Sequence, residues 1–125
     1  MIYQEANRLG DVLKFEIDKN YCREVVTVAS GQNLKIGTVV GIKSDTGEAK
    51  IVSIADGETD GSDKAFGVLL DNVDANEKSK KALVLARGGI VASRSLVFPE
   101  GATSEQIAKL TSDLDARGII VRQSA

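Results

Sequence analysis

Apolar and polar residues alternate from Val12 to Ile17, putting Leu13, Phe15 and Ile17 on one face and Lys14 and Glu16 on the other. A period of two is the mark of a half-buried strand. Asp18-Lys19-Asn20 signals a turn, and the β-branched run over residues 23–29 predicts a second strand. Ser30-Gly31-Gln32-Asn33 interrupts it, and residues 34–42 form another apolar stretch in which Gly37 and Gly41 mark turns or bulges. Residues 44–48 have hairpin-turn composition and lead into a strand over 49–54. Residues 1–11 are polar without a clear period and read as a flexible N-terminal arm.

The next segment passes through Asp56-Gly57 and Asp60-Gly61 before an apolar strand over 66–70 that opens near Gly67. Asp-Gly suits turns because glycine accepts positive φ and aspartate bonds its own backbone. Asp56, Glu58, Asp60 and Gly61 have the spacing of the first half of a calcium-binding loop. The bidentate acid of such a loop belongs at its twelfth position, which here is Gly67, and the flanks are strand-like. The segment therefore reads as a solvated turn, with Gly57, Gly61 and Gly67 as its structural glycines.

A polar stretch follows over residues 71–80, then strands over 82–86 and 90–92 separated by Arg87-Gly88-Gly89. One segment has helical period: Ile107, Leu110 and Leu114 share a stripe, Thr103 with Gln106 fits a capping box, and Gly118 supplies the stop. Ile119-Ile120-Val121 resumes a strand. Many short strands and one helix predict a mainly β chain: a small single-domain barrel or clip-like β fold with one short C-terminal helix.

Composition narrows the function more than the fold. The chain has 125 residues, enough for one domain, and aromatics make up only 4 %, without tryptophan. The core must rest on aliphatic residues, and a stacking surface for single-stranded nucleic acid is not expected. With 16 basic and 18 acidic residues the net charge is −2, against the basic excess of a duplex binder. Lys78, Lys80, Lys81 and Arg87 form the one basic cluster and read as the solvated face of a loop and edge strand. No apolar run approaches a membrane span of about eighteen residues, and the first residues do not resemble a signal peptide, so a soluble chain made in a cytoplasm is expected.

Candidate chemistry is sparse. The absence of histidine removes the commonest general base and zinc ligand, and the single Cys22 allows neither an intramolecular disulfide nor a closed cysteine–histidine zinc site. Arg23 beside Cys22 would favour the thiolate, but no base or orienting partner accompanies it, so a buried, idle thiol fits better. No phosphate loop or nucleophile elbow is present. The acids cluster in the turn (Asp56, Glu58, Asp60, Asp63) and on the helix (Glu105, Asp113, Asp115), where solvation is the simplest account. Catalytic residues, cofactor and metal are all expected to be absent.

Several motifs occur in a shared order. They are Ala55-Asp56-Gly57-Glu58-Thr59-Asp60-Gly61, Ala65-Phe66-Gly67-Val68-Leu69, the Gly88-Gly89 turn, Leu96-Val97-Phe98-Pro99-Glu100-Gly101-Ala102, the short helix, and Gly118-Ile119-Ile120-Val121. In this order and spacing, over about residues 50–121, the chain resembles the head-decoration protein family of lambda-like tailed bacteriophages. Phe98 stands where that pattern has a tryptophan before Pro-Glu, and residues 1–48 match more loosely.

The resemblance implies a non-enzymatic capsid cement in the virion, on the outer capsid surface, after assembly in the host cytoplasm. It implies homotrimers on local three-fold axes of the expanded head that strengthen the shell against DNA pressure. The implied partners are the major capsid protein and the chain itself, with no direct nucleic acid and no membrane. Residues 1–17 are then the arm and docking strand, and 18–125 the decoration domain. Leu13, Phe15 and Ile17 are the candidate capsid-binding residues, by strand addition to the capsid protein. The same strand serves equally well within the domain's own sheet. Phe98, Pro99 and Glu100 are candidate trimer contacts, or simply a loop that orders the helix start. A small β-domain that binds a ligand or protein in a cellular assembly is the alternative, and an acid-pair enzyme comes third.

Overall fold

The computed structural model describes residues 9–54 and 60–123. The Asp56, Gly57 and Glu58 readings and the arm's first eight residues lie outside them.

A helical turn, α1 (Leu9–Val12), leads into strand β1 (Leu13–Glu16), and a second helical turn, α2 (Lys19–Cys22), into β2 (Arg23–Val28). Then come β3 (Gln32–Leu34), β4 (Val39–Ile42), β5 (Ala49–Ile51), β6 (Gly67–Leu69), β7 (Val73–Ala75), β8 (Lys80–Leu85) and β9 (Gly89–Ala92). The helix α3 (Ser104–Ala116) and β10 (Ile119–Arg122) complete the order. The mainly β class, the C-terminal helix and most predicted strands stand.

Five strands close into a barrel in the order β2-β5-β4-β6-β8, with β8 returning to β2 over six residue pairs. The closure is narrow at two seams, with β2 meeting β5 only at Val28–Ala49 and β6 meeting β8 only at Val68–Leu85 and Leu69–Val84. Lys80 and Lys81 are exposed and lie on the part of β8 that pairs with β2 alone, since β6 meets β8 only at Val84 and Leu85. Residues 71–80 are not wholly loop: Val73 and Ala75 are buried, and β7 pairs antiparallel with β3.

Barrel residues of successive parity feed two cores. Val39, Val68 and Leu85 pack with Val12, Cys22, Val91, Leu110, Leu114 and Ile119. Their neighbours Val40, Leu69 and Val84 pack with Val28, Leu34, Ala49, Val73 and Ala75. Strands buried on both faces read as continuous apolar runs rather than alternation, as the sequence over 66–70 and 82–86 does.

Gly67 is not a turn residue. It opens β6 where a Cβ would collide with the Leu85 carbonyl oxygen, so its role is close backbone approach. Gly61 (φ +90°) and Gly118 (φ +79°) do hold left-handed turn positions. In α3 the Thr103 hydroxyl accepts from the Gln106 amide, and the Gln106 side chain answers at the Thr103 amide. Leu110 and Leu114 carry its buried stripe.

The helix delivers β10 to a second sheet, of order β1-β9-β10, in which β10 runs parallel to β9 and β1 antiparallel. Residues 9–16 are thus part of the domain: Val12 is fully buried and β1 is hydrogen-bonded to β9. The Asp18 turn is helical, with Asp18 as N-cap accepting from the Asn20 amide at 2.7 Å.

Candidate docking surface

The three-stranded sheet has one face on the first core and one face outward. Leu13 pairs with Val91 and Phe15 with Ile90, so two steps on β1 meet one on β9. Lys14 is the extra residue of a β-bulge. Leu13 consequently packs toward the core while Phe15 turns outward. The single face expected for Leu13, Phe15 and Ile17 is thereby corrected: a period-two count fails across a bulge.

Phe15, Ile90 and Ile120 form one row across the sheet, through the pairs Phe15–Ile90 and Ile120–Ile90. Phe15 is 56 % exposed, Ile17 69 % and Ile120 39 %, which is costly for large apolar side chains without a partner. Together with Gly88, Gly89 and Gly118 they surround a shallow depression of about 130 Å³. Ile90 and Ile120 were not singled out from sequence. The available signal was that Ile119-Ile120-Val121 is apolar at every position although the strand lies at a sheet edge.

The glycines form the floor because the backbones there nearly touch. A Cβ on Gly88 would stand 3.2 Å from Cys22 Sγ and 3.3 Å from Ile17 Cδ1, and one on Gly118 would stand 3.4 Å from the Gly88 amide nitrogen. The Ile17 amide donates to the Gly88 carbonyl at 3.1 Å, and Cys22 Sγ donates to the same oxygen at 3.4 Å. The Asp18 amide in turn donates to Cys22 Sγ at 3.4 Å. Cys22 is buried and structural, packed under the surface.

Two ion pairs lie near the row. Arg23 donates to both Glu16 oxygens, at 2.9 and 2.6 Å, with side chains only 17 % and 12 % exposed. That bond raises the Arg23 pKa above the ordinary arginine value, against the opposing effect of burial. Arg87 pairs with Glu24 at 2.9 Å, donates to the Tyr21 carbonyl and stacks over the Tyr21 ring. Arg117 lies 4.3 Å over the Phe66 ring and donates to the Ala86 carbonyl at 3.1 Å. Burial, reinforced by nearby Arg87, lowers its pKa from the ordinary value.

The proposed trimer residues occupy a different region. Val97 is held beside β4, its amide donating to Gly37 and its carbonyl accepting from Val39. Phe98 is half-buried against the first core, Pro99 is half-buried and Glu100 exposed. The Pro99 carbonyl accepts from the Ala102 amide at 3.2 Å, one residue before the Thr103 cap. Among the described residues no group of acids and cysteine has metal-binding geometry, and no helix is long and apolar enough to cross a membrane.

No individual curated protein matches the chain. The family model of the bacteriophage lambda head decoration protein D matches residues 2–119, which takes in the barrel, α3 and the start of β10. The chain therefore belongs to the bacteriophage lambda head decoration protein D family, whose members are structural proteins of the phage capsid.

Proposed function

We propose that this head decoration protein binds the outer surface of the expanded head as a homotrimer at local three-fold axes and stabilises the shell against internal DNA pressure. The partner is the major capsid protein. Nucleic acid and membrane are not contacted, and the protein assembles onto the head in the host cytoplasm.

One observation carries the docking part of this reading. Phe15 and Ile17, on the segment that leads into the domain from the N-terminus, are among the most exposed large apolar residues described. Burying what remains exposed of each such side chain contributes about 1–2 kcal/mol. Residues 1–17 are the docking segment in this reading, with Phe15 and Ile17 in contact and Leu13 anchoring the strand from the core side. Phe98, Pro99 and Glu100 lie on the half-exposed loop proposed for contact between copies. Weak contacts repeated around a trimer gain from avidity, so a modest single site suffices for firm attachment to a dense lattice.

Co-sedimentation with expanded and unexpanded shells of the cognate phage tests the whole reading. Saturable binding to expanded shells alone is the expected result. Absence from both pellets would overturn it and leave a β-domain with some other protein or ligand partner.

A further inference from the structure

We infer that the depression between Phe15, Ile17, Ile90 and Ile120 is a socket for one uncharged, apolar side chain projecting from the capsid surface. The inference rests on the capsid-binding reading and goes beyond it, by moving part of the contact from the N-terminal segment to β9 and β10.

The size of the site sets the first limit. Its volume is about 130 Å³, and an apolar cavity of about 150 Å³ holds a benzene-sized group. The space matches one aliphatic or aromatic side chain. The floor is backbone, since Gly88, Gly89 and Gly118 project nothing into the space. The walls are four large apolar side chains. A central apolar socket ringed by less critical contacts is the usual form of an energetic hot spot at a protein interface.

The surrounding charges decide the chemistry of the occupant. Glu16 is engaged by Arg23, and Arg87 by Glu24 and the Tyr21 carbonyl. Arg122, two positions beyond Ile120 and on the same outward face of β10, is a rim charge that is not among the lining residues. None of the lining residues carries a charge or a polar side chain. A charged or hydrogen-bonding group pressed against these walls would find no side-chain partner among the lining residues.

The partner is the shell rather than a second copy because the socket is continuous with the docking segment. Phe15 and Ile17 form one wall of it, and Phe98, Pro99 and Glu100 are not among the lining residues. An apolar side chain presented by the capsid beside that segment would enter the socket as the segment docks.

The test uses the full chain and expanded shells. Ile120→Thr keeps a β-branched residue in β10 and should weaken shell binding about tenfold, the scale of a lost interface anchor. Ile17→Ala lies outside the strand ladders, so the fold should be unaffected while binding falls. Ile120→Trp adds apolar area but fills the socket, and it too should weaken binding. Thermal melting and sedimentation equilibrium of the free variants should match wild type. Tighter binding by Ile120→Trp, or unchanged binding by all three, would overturn the socket while wild-type binding leaves the decoration role intact. Altered self-association with unchanged shell affinity would assign the socket to a second copy and overturn the inference in favour of that occupant. Failure of wild type to bind any shell would remove both readings together.

Discussion

Leu13 and Phe15, two residues apart on one strand, face opposite sides of their sheet because Lys14 bulges between them. One supports the core and the other is offered to solvent, so substitutions at the two sites should separate stability from binding. Leu13→Ser should lower stability by about 1–3 kcal/mol, seen as a reduced melting temperature. Phe15→Ser should leave melting nearly unchanged and reduce co-sedimentation with shells. Equal melting losses would show that the bulge does not set the two residues apart.

Gly67→Ala should destabilise the barrel more than its size suggests. The new methyl group would meet the Leu85 carbonyl oxygen, a backbone atom fixed by the β6–β8 pairing. Overpacking of this kind costs about 1–3 kcal/mol. Gly31→Ala meets no neighbour but holds a left-handed φ of +89°, so any loss there measures backbone strain alone. Urea denaturation of the two variants gives the comparison.

Glu16→Gln should cost about 1.5–3 kcal/mol, the range for a hydrogen bond to a charged group, because Arg23 is left mostly buried with a weaker acceptor. The pH dependence has a definite sign. Arg23 has a raised folded-state pKa, so its contribution is complete at every pH below the ordinary arginine value and fades only as pH rises through the folded one. This arginine should therefore contribute no slope to a melting-temperature profile across the neutral range. Removing Glu16 should lower that profile uniformly there.

Cys22 should resist modification in the native protein. It is fully buried and its thiol lies between the Asp18 amide and the Gly88 carbonyl. Labelling by an aromatic disulfide reagent should follow the unfolding rate rather than reagent concentration. A fast native-state reaction would mean that the turn at Gly88 opens on its own.

Thr103→Ala should cost about 1 kcal/mol through loss of the helix cap, with both hydrogen bonds to Gln106 affected. Since α3 delivers β10 to the sheet, the same change should raise hydrogen exchange at Ile119 and Val121.

Local signals made much of this fold legible. Thr103, Gln106 and Gly118 bracket the helix, and the apolar runs over 66–70 and 82–86 mark central barrel strands, because caps and continuous burial leave their trace within a few residues. The bulge did not show, since it is defined only by the register of Leu13 and Phe15 against Val91 and Ile90, some seventy-five residues away. Nor did β7, whose whole pattern is Val73-Asp74-Ala75. Phe15 and Ile17 were identifiable as one half of the candidate surface from their alternation. Ile90 and Ile120 were not, because only the parallel pairing of β10 with β9 brings them into line.

That pairing has a consequence for the order of events in the cell. The central strand of the outward sheet is flanked by strands from opposite ends of the described chain, so the face cannot exist until synthesis has passed Arg122. A nascent or truncated chain would have its barrel strands but no finished socket. If that face is what meets the shell, as proposed above, chains that stop short of β10 would be left out of the coat without a separate inspector.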